Sequence, residues 1–165
     1  MKISKKGLLF LIIALAGLAF IISNYAQQAD QRLGKSATKV VANAPLSKDG
    51  EQTKAIFEKT LKASNEKDTA TYVSFLIPKA RKNTETQLAD FFKSQDVTNT
   101  LQSYRVLKEK DGHLLAEAQV KSINNTKDQK KYRDNIATLN ISFVNEKGEW
   151  LIDLTTTTNT QLLKK

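Results

Sequence analysis

The sequence predicts an α+β architecture: an N-terminal transmembrane helix, then about three helices packed on a curved four-stranded antiparallel sheet. Three observations lead there. Residues Gly7 to Ile22 form an uncharged apolar run. From Lys48 to about residue 95, apolar residues recur every three or four positions, as along one face of a helix. After about Thr100 they alternate, as on a half-buried strand. Helices first and strands after argue for helices gathered on one face of an antiparallel sheet.

As a helix, Gly7 to Ile22 covers about 24 Å at ~1.5 Å per residue, short of a hydrocarbon core of about 30 Å. Lys5 and Lys6 can snorkel, and Ser23 to Ala26 can lengthen the span. A secreted chain with a cleaved signal is the alternative, but it needs small residues at two alternate positions before the cut. Cutting after Ala26 places Asn24 at one of them, and cutting after Ala29 places Gln27 there. An uncleaved signal anchor fits better. Lys2, Lys5 and Lys6 abut its start, whereas the first positive residue beyond it is Arg32, which puts the N-terminus inside and the body outside the cytoplasm. The chain then divides into an anchor (1–26), a polar stalk (27–46), a domain (47–158) and a tail (159–165).

The first helix spans Lys48 to Asn65, with Thr53, Ile56, Phe57, Thr60, Leu61 and Ser64 on the buried stripe and Lys54, Glu58, Lys59 and Lys62 outside. Asp68 caps a second helix, Thr69 to Ile77, which Pro78 stops. Pro78 can open a short turn through Arg81. Thr84 and Gln87 have the spacing of a capping box, so a third helix is expected from Thr84, burying Leu88, Phe91 and Phe92.

Four strands are expected at about 101–109, 113–123, 135–145 and 149–157. In the first hairpin a loop of Asp111-Gly112 alone would oppose Val106 to Glu117 and mix the faces. A three-residue loop, Lys110-Asp111-Gly112, opposes Val106 to Ala116 and Tyr104 to Ala118. In the second, a four-residue loop from Asn145 to Gly148 sets Leu139, Ile141 and Phe143 against Leu154, Ile152 and Trp150. Together with Leu114 and Val120, these residues form one apolar surface. It carries no carboxylate or histidine, and Asp153 falls on the opposite face.

Composition narrows the functions. Apolar residues make up 40% of the chain and charged residues 26%, so the chain is not a mostly disordered one. No cysteine is present and only one histidine, which excludes thiol nucleophiles, Cys-ligated metal centres and His-rich sites. No phosphate loop, H-E-x-x-H or G-x-S-x-G pattern occurs, and no cofactor is expected. The net charge of +9 falls to +6 without the three lysines ahead of the apolar run. With no aromatic array among the basic residues, nucleic-acid binding is not expected.

Three helices, a four-stranded sheet and the closing segment Gly148-Glu149-Trp150-Leu151-Ile152-Asp153-Leu154 together resemble the nuclear transport factor 2-like, or cystatin-like, superfamily. The resemblance covers about Leu46 to Thr158. It implies a cone, in which the sheet wraps around the first helix. With the anchor, the arrangement is also similar to extracytoplasmic domains of scaffold subunits in bacterial type IV secretion and conjugation machines. Enzymes of the superfamily place a carboxylate and a tyrosine inside the cone for proton transfer; the acid-free inner list here argues against catalysis.

Two sets of side chains remain as candidates. Tyr72, Tyr104, Phe143 and Trp150 line either a small-molecule pocket or the core. Lys127, Lys130, Lys131 and Arg133, in the connection between the second and third strands, could contact an acidic partner or lipid headgroups, or simply solvate a loop. His113 is expected on the surface beside its turn. The leading expectation is a membrane-anchored extracytoplasmic domain that binds other envelope proteins, with homo-oligomers open; the runner-up is a carrier or enzyme holding a small apolar ligand in the cone.

Overall fold

A computed structural model describes residues 38–39 (backbone only), 45–126 and 132–164. The anchor, most of the stalk, and Lys127, Lys130 and Lys131 lie outside these residues. Among the described residues no helix is long and apolar enough to cross a membrane.

The elements run β1 (Thr38–Lys39), α1 (Lys48–Asn65), α2 (Thr69–Ser74), α3 (Pro78–Ser94), β2 (Val97–Lys110), β3 (His113–Asn124), β4 (Asn135–Glu146) and β5 (Glu149–Leu162). The strands form one antiparallel sheet in sequence order. The four long strands are those expected. The two-residue β1, which pairs with Lys108 and Glu109 on the edge of β2, falls inside the segment assigned to the stalk. β5 runs on to Leu162, so residues 159–162, assigned to a tail, continue the ladder with β4.

α1 begins where Ser47 accepts a hydrogen bond from the Gly50 N–H at 2.9 Å, satisfying one of the helix's orphan donors. Thr53, Phe57, Thr60, Leu61 and Ser64 are its buried stripe. α2 is capped by Asp68, which accepts from the Thr71 N–H at 3.0 Å. The side chain and N–H of Thr71 hold the Asp68 carboxyl below its ordinary value. A depressed folded-state pKa contributes stability that is present above the unfolded value and is lost as pH falls through the folded one. Asp68→Ala is therefore expected to lower the melting temperature at neutral pH and to match the wild type in strong acid, as thermal melts across the carboxylate range will read.

α3 corrects the expectation of a turn followed by a new helix at Thr84. A single helix starts at Pro78, whose missing N–H costs nothing at the first position. Thr84 is buried in mid-helix, so its spacing from Gln87 is a shared inward face and not a capping box. Before α3, the chain lies alongside β5: the Ile152 N–H donates to the Phe75 carbonyl at 2.8 Å and the Ile77 N–H to the Ile152 carbonyl at 3.1 Å. This parallel bridge, Leu76 to Ile152, joins the helical half to the last strand.

The hairpins reach matching faces by a route parity alone does not show. In the first, Lys110 pairs with His113, leaving only Asp111 (φ 46°) and Gly112 (φ 73°) in the turn. Val106 nevertheless opposes Ala116 and Tyr104 opposes Ala118, because the register shifts between Val106 and Lys108, where Leu107 bulges. The second turn is also two residues, Lys147 (φ 55°) and Gly148 (φ 92°), so Phe143 opposes Ile152 and not Trp150. A further shift follows in β5. Asp153 is the extra residue, Thr155 takes the inward position opposite Ile141, and Leu154, expected inside, is turned to the outer face opposite Ser142.

Candidate functional site

The inner face of the sheet is read row by row from the register. Leu114, Ala116, Ala118 and Val120 of β3 run down its middle, with Phe143, Ile141, Leu139 and Ala137 beside them on β4. All eight are buried, packed with Phe57 and Leu61 of α1, Leu76 and Leu88. The two alanines leave room for the bulk of α1. Tyr72, Phe143 and Trp150 are buried members of this cluster, and Tyr104, partly buried, packs against it. The Tyr104 hydroxyl donates to Thr53 Oγ1 at 2.9 Å.

Beyond Val120 the same face turns polar, and this end was missed by the sequence reading. Asn99, Ser122 and Asn135 oppose one another across β2, β3 and β4. Ser122 Oγ donates to Asn99 Oδ1 at 2.7 Å, and Asn99 Nδ2 donates to Ser64 Oγ at 3.3 Å. Asn135 Nδ2 donates to the Tyr132 hydroxyl at 3.1 Å, and Asn124 Nδ2 to the Tyr132 carbonyl at 2.8 Å. Phe91 of α3 meets the Tyr132 ring edge-on at 6.0 Å. On the edge of β2 that also carries β1, the Asn65 carboxamide accepts from the Asn99 N–H at 2.7 Å and donates to its carbonyl at 2.9 Å, the two bonds a neighbouring strand would make. The signal was available: the alternation that runs from Leu114 to Val120 continues through Ser122 and Asn124.

Apart from the ion pair between Asp153 and Lys79, the buried titratable groups are neutral. Burial pushes the phenols of Tyr72 and Tyr104 well above their usual range, and Tyr132 is raised for the same reason. Glu109 sits at the rim, where it accepts from the Ser47 hydroxyl at 2.7 Å. Asp153 is largely buried but lies 3.6 Å from Lys79, an ion pair fastening the start of α3 to β5. His113 is half-buried at the hairpin, paired with Lys110 and Val144. Arg133 is exposed. Among the described residues no cluster of acidic or histidine side chains could hold a metal ion. Thr84 Oγ1, Gln87 Oε1, Trp150 Nε1 and Thr155 Oγ1 are buried with no hydrogen-bond partner among the described residues. The sequence reading took Thr84 and Gln87 for a helix cap and gave Thr155 no role.

A sheet bent around one long helix, with its concave side closed by two more, defines the nuclear transport factor 2-like class of α+β cones. Solved structures agree. An uncharacterized cystatin-like protein from Caulobacter vibrioides superposes with a TM-score of 0.58 at 16% identity, covering 67% of this chain and 91% of that one. A cystatin-like protein of unknown function from Nostoc punctiforme gives 0.57 at 8% identity, covering 73% and 93%. A putative dehydratase of the NTF2-like family from Streptomyces avermitilis gives 0.57 at 11%, covering 66% and 94%. At these identities the likeness is one of fold. No curated protein matches in sequence. The family model described as the C-terminal domain of the anti-sigma-I factor RsgI9 matches residues 55–163, and the chain belongs to that family.

Proposed function

We propose that the domain is a non-catalytic binding module of a regulatory membrane protein, held outside the cytoplasm by residues 7–22 and contacting other components of the envelope. The observation that carries this reading is the neutral interior. Apart from Asp153, which is largely buried but paired with Lys79, its buried titratable groups are tyrosines whose protons burial retains, so they do not abstract protons. The family's description as part of an anti-sigma factor favours regulation over the secretion or conjugation scaffold that the architecture resembles. An anchored module also meets its neighbours at high effective concentration, so weak contacts suffice. Arg133, with Lys127, Lys130 and Lys131, supplies a basic contact for an acidic partner.

Topology is the direct test. Alkaline phosphatase fused after Lys165 is expected to be active in bacterial cells and to stay with the membrane fraction after alkaline washing. An inactive fusion, together with fluorescence from a cytoplasm-dependent reporter at the same position, would reverse the orientation and remove the reading.

A further inference from the structure

β1 pairs antiparallel with the end of β2, Thr38 opposite Glu109 and Lys39 opposite Lys108. It therefore runs from the Lys110 end of β2 toward the Val97 end, and the chain arrives at Thr38 heading inward from the end of the sheet that carries the Asp111-Gly112 and Lys147-Gly148 turns. α1 starts at this end too, where the Ser47 hydroxyl donates to Glu109 at 2.7 Å.

The opposite end holds other groups. β3 finishes and β4 begins there, at Asn124 and Asn135. The Leu163 N–H, just past β5, donates to the Asp134 carbonyl at 2.9 Å. α1 and α3 end here as well, through Asn65 on Asn99 and Phe91 on Tyr132. Arg133 and Lys164 are both exposed at this end.

Two lengths decide which end lies near the bilayer. β2, with 14 residues, is about 45 Å long at ~3.3 Å per residue. Between Ile22, where the apolar run stops, and Thr38 there are fifteen residues, 23–37, which reach at most about 50 Å when fully extended. Bringing the Arg133 end to the membrane would take this connector back along the whole sheet with its extension all but exhausted. So taut a chain gives up nearly all its conformational freedom. With the turns toward the bilayer it needs no such extension.

We infer that the domain stands with its two hairpin turns facing the bilayer and its Arg133–Lys164 end turned away. Lipid headgroups then neighbour the turns, and Arg133 does not grip the membrane that holds the anchor. The turn end exposes Lys110 and Lys147 against Asp111, Glu146 and Glu149, so the tether and not lipid charge sets the orientation. The inference rests on residues 7–22 being the anchor.

The chain has no cysteine, so a single substitution takes a dye at one place. Glu146→Cys and Lys164→Cys, each in the full chain with a donor dye, are reconstituted into nanodiscs carrying an acceptor on lipid headgroups. Energy transfer is expected to be at least about 3-fold stronger from Glu146→Cys, given a separation of about 45 Å along the strands. Twenty flexible Gly-Ser residues inserted after Gly34 are expected to bring that ratio below about 1.5-fold, because a slack tether admits either end. Transfer from Lys164→Cys is expected to be the same in neutral and anionic discs. Equal transfer from the two positions, a ratio unmoved by the insertion, or transfer from Lys164→Cys that rises with anionic lipid overturns the proposal. A chain that does not co-purify with the discs removes the anchor and the proposal together, whereas a disc-bound chain with equal transfer removes the proposal alone.

Discussion

Phe143→Ala is expected to remove about 3–5 kcal/mol of folding stability, the range for deleting a buried aromatic ring. A domain of this size holds about 5–15 kcal/mol in all, so the variant will sit near the edge of unfolding at body temperature. The reason is position. Phe143 is fully buried on β4, between Leu114 of β3 and Ile152 of β5, where the sheet meets α1. Its neighbours are strand residues fixed by two ladders and collapse poorly into the space left. Leu162→Ala serves as the comparison, since this side chain is the exposed large apolar one among the described residues and is expected to change stability by no more than about 0.5 kcal/mol. Denaturant titration of both reads the contrast, and equal losses would refute the placement of the core.

The second large effect is expected at Asn99, buried at the polar end of the interior. Asn99→Ala removes its bonds to Ser122 and Ser64 together and is expected to cost about 2–4 kcal/mol, because each buried hydroxyl deprived of its partner costs roughly 1–3. Adding Ser122→Ala to that variant should cost little more, since the orphaned group goes with it. Full additivity of the two losses in denaturant titration would show that the bond between them carries no weight.

Much of this fold was legible in the residues. The first helix was readable to its ends, because its buried stripe and charged outer face are unambiguous. The change of period near Thr100 placed the strands, and the inner sets of β3 and β4 followed from alternation. What alternation fixes is which face a side chain takes, and it is blind to how the chain gets there. A three-residue loop and a two-residue turn with a bulge at Leu107 give the same pairing of Val106 with Ala116, so the right register was reached for the wrong reason. In the second hairpin a slip of two residues left Phe143, Ile152 and Trp150 inside, and only the bulge at Asp153 changed the outcome by turning Leu154 out. The polar end was overlooked because the search followed apolar residues, although Ser122 and Asn135 keep the parity of the strands they belong to. Thr84 was misread because threonine three before glutamine signals a helix start only where the chain is not already helical.

The bridge between Leu76 and Ile152 has a consequence for biosynthesis. The segment ahead of α3 borrows backbone partners from a strand made some seventy residues later, and the oily lining of the vault has no complete cover until that strand arrives. A growing polypeptide must therefore stay unsealed until β5 has been made. A premature stop shortly before Trp150 would yield an open shell that exposes its lining, a substrate for quality control and not a smaller working protein.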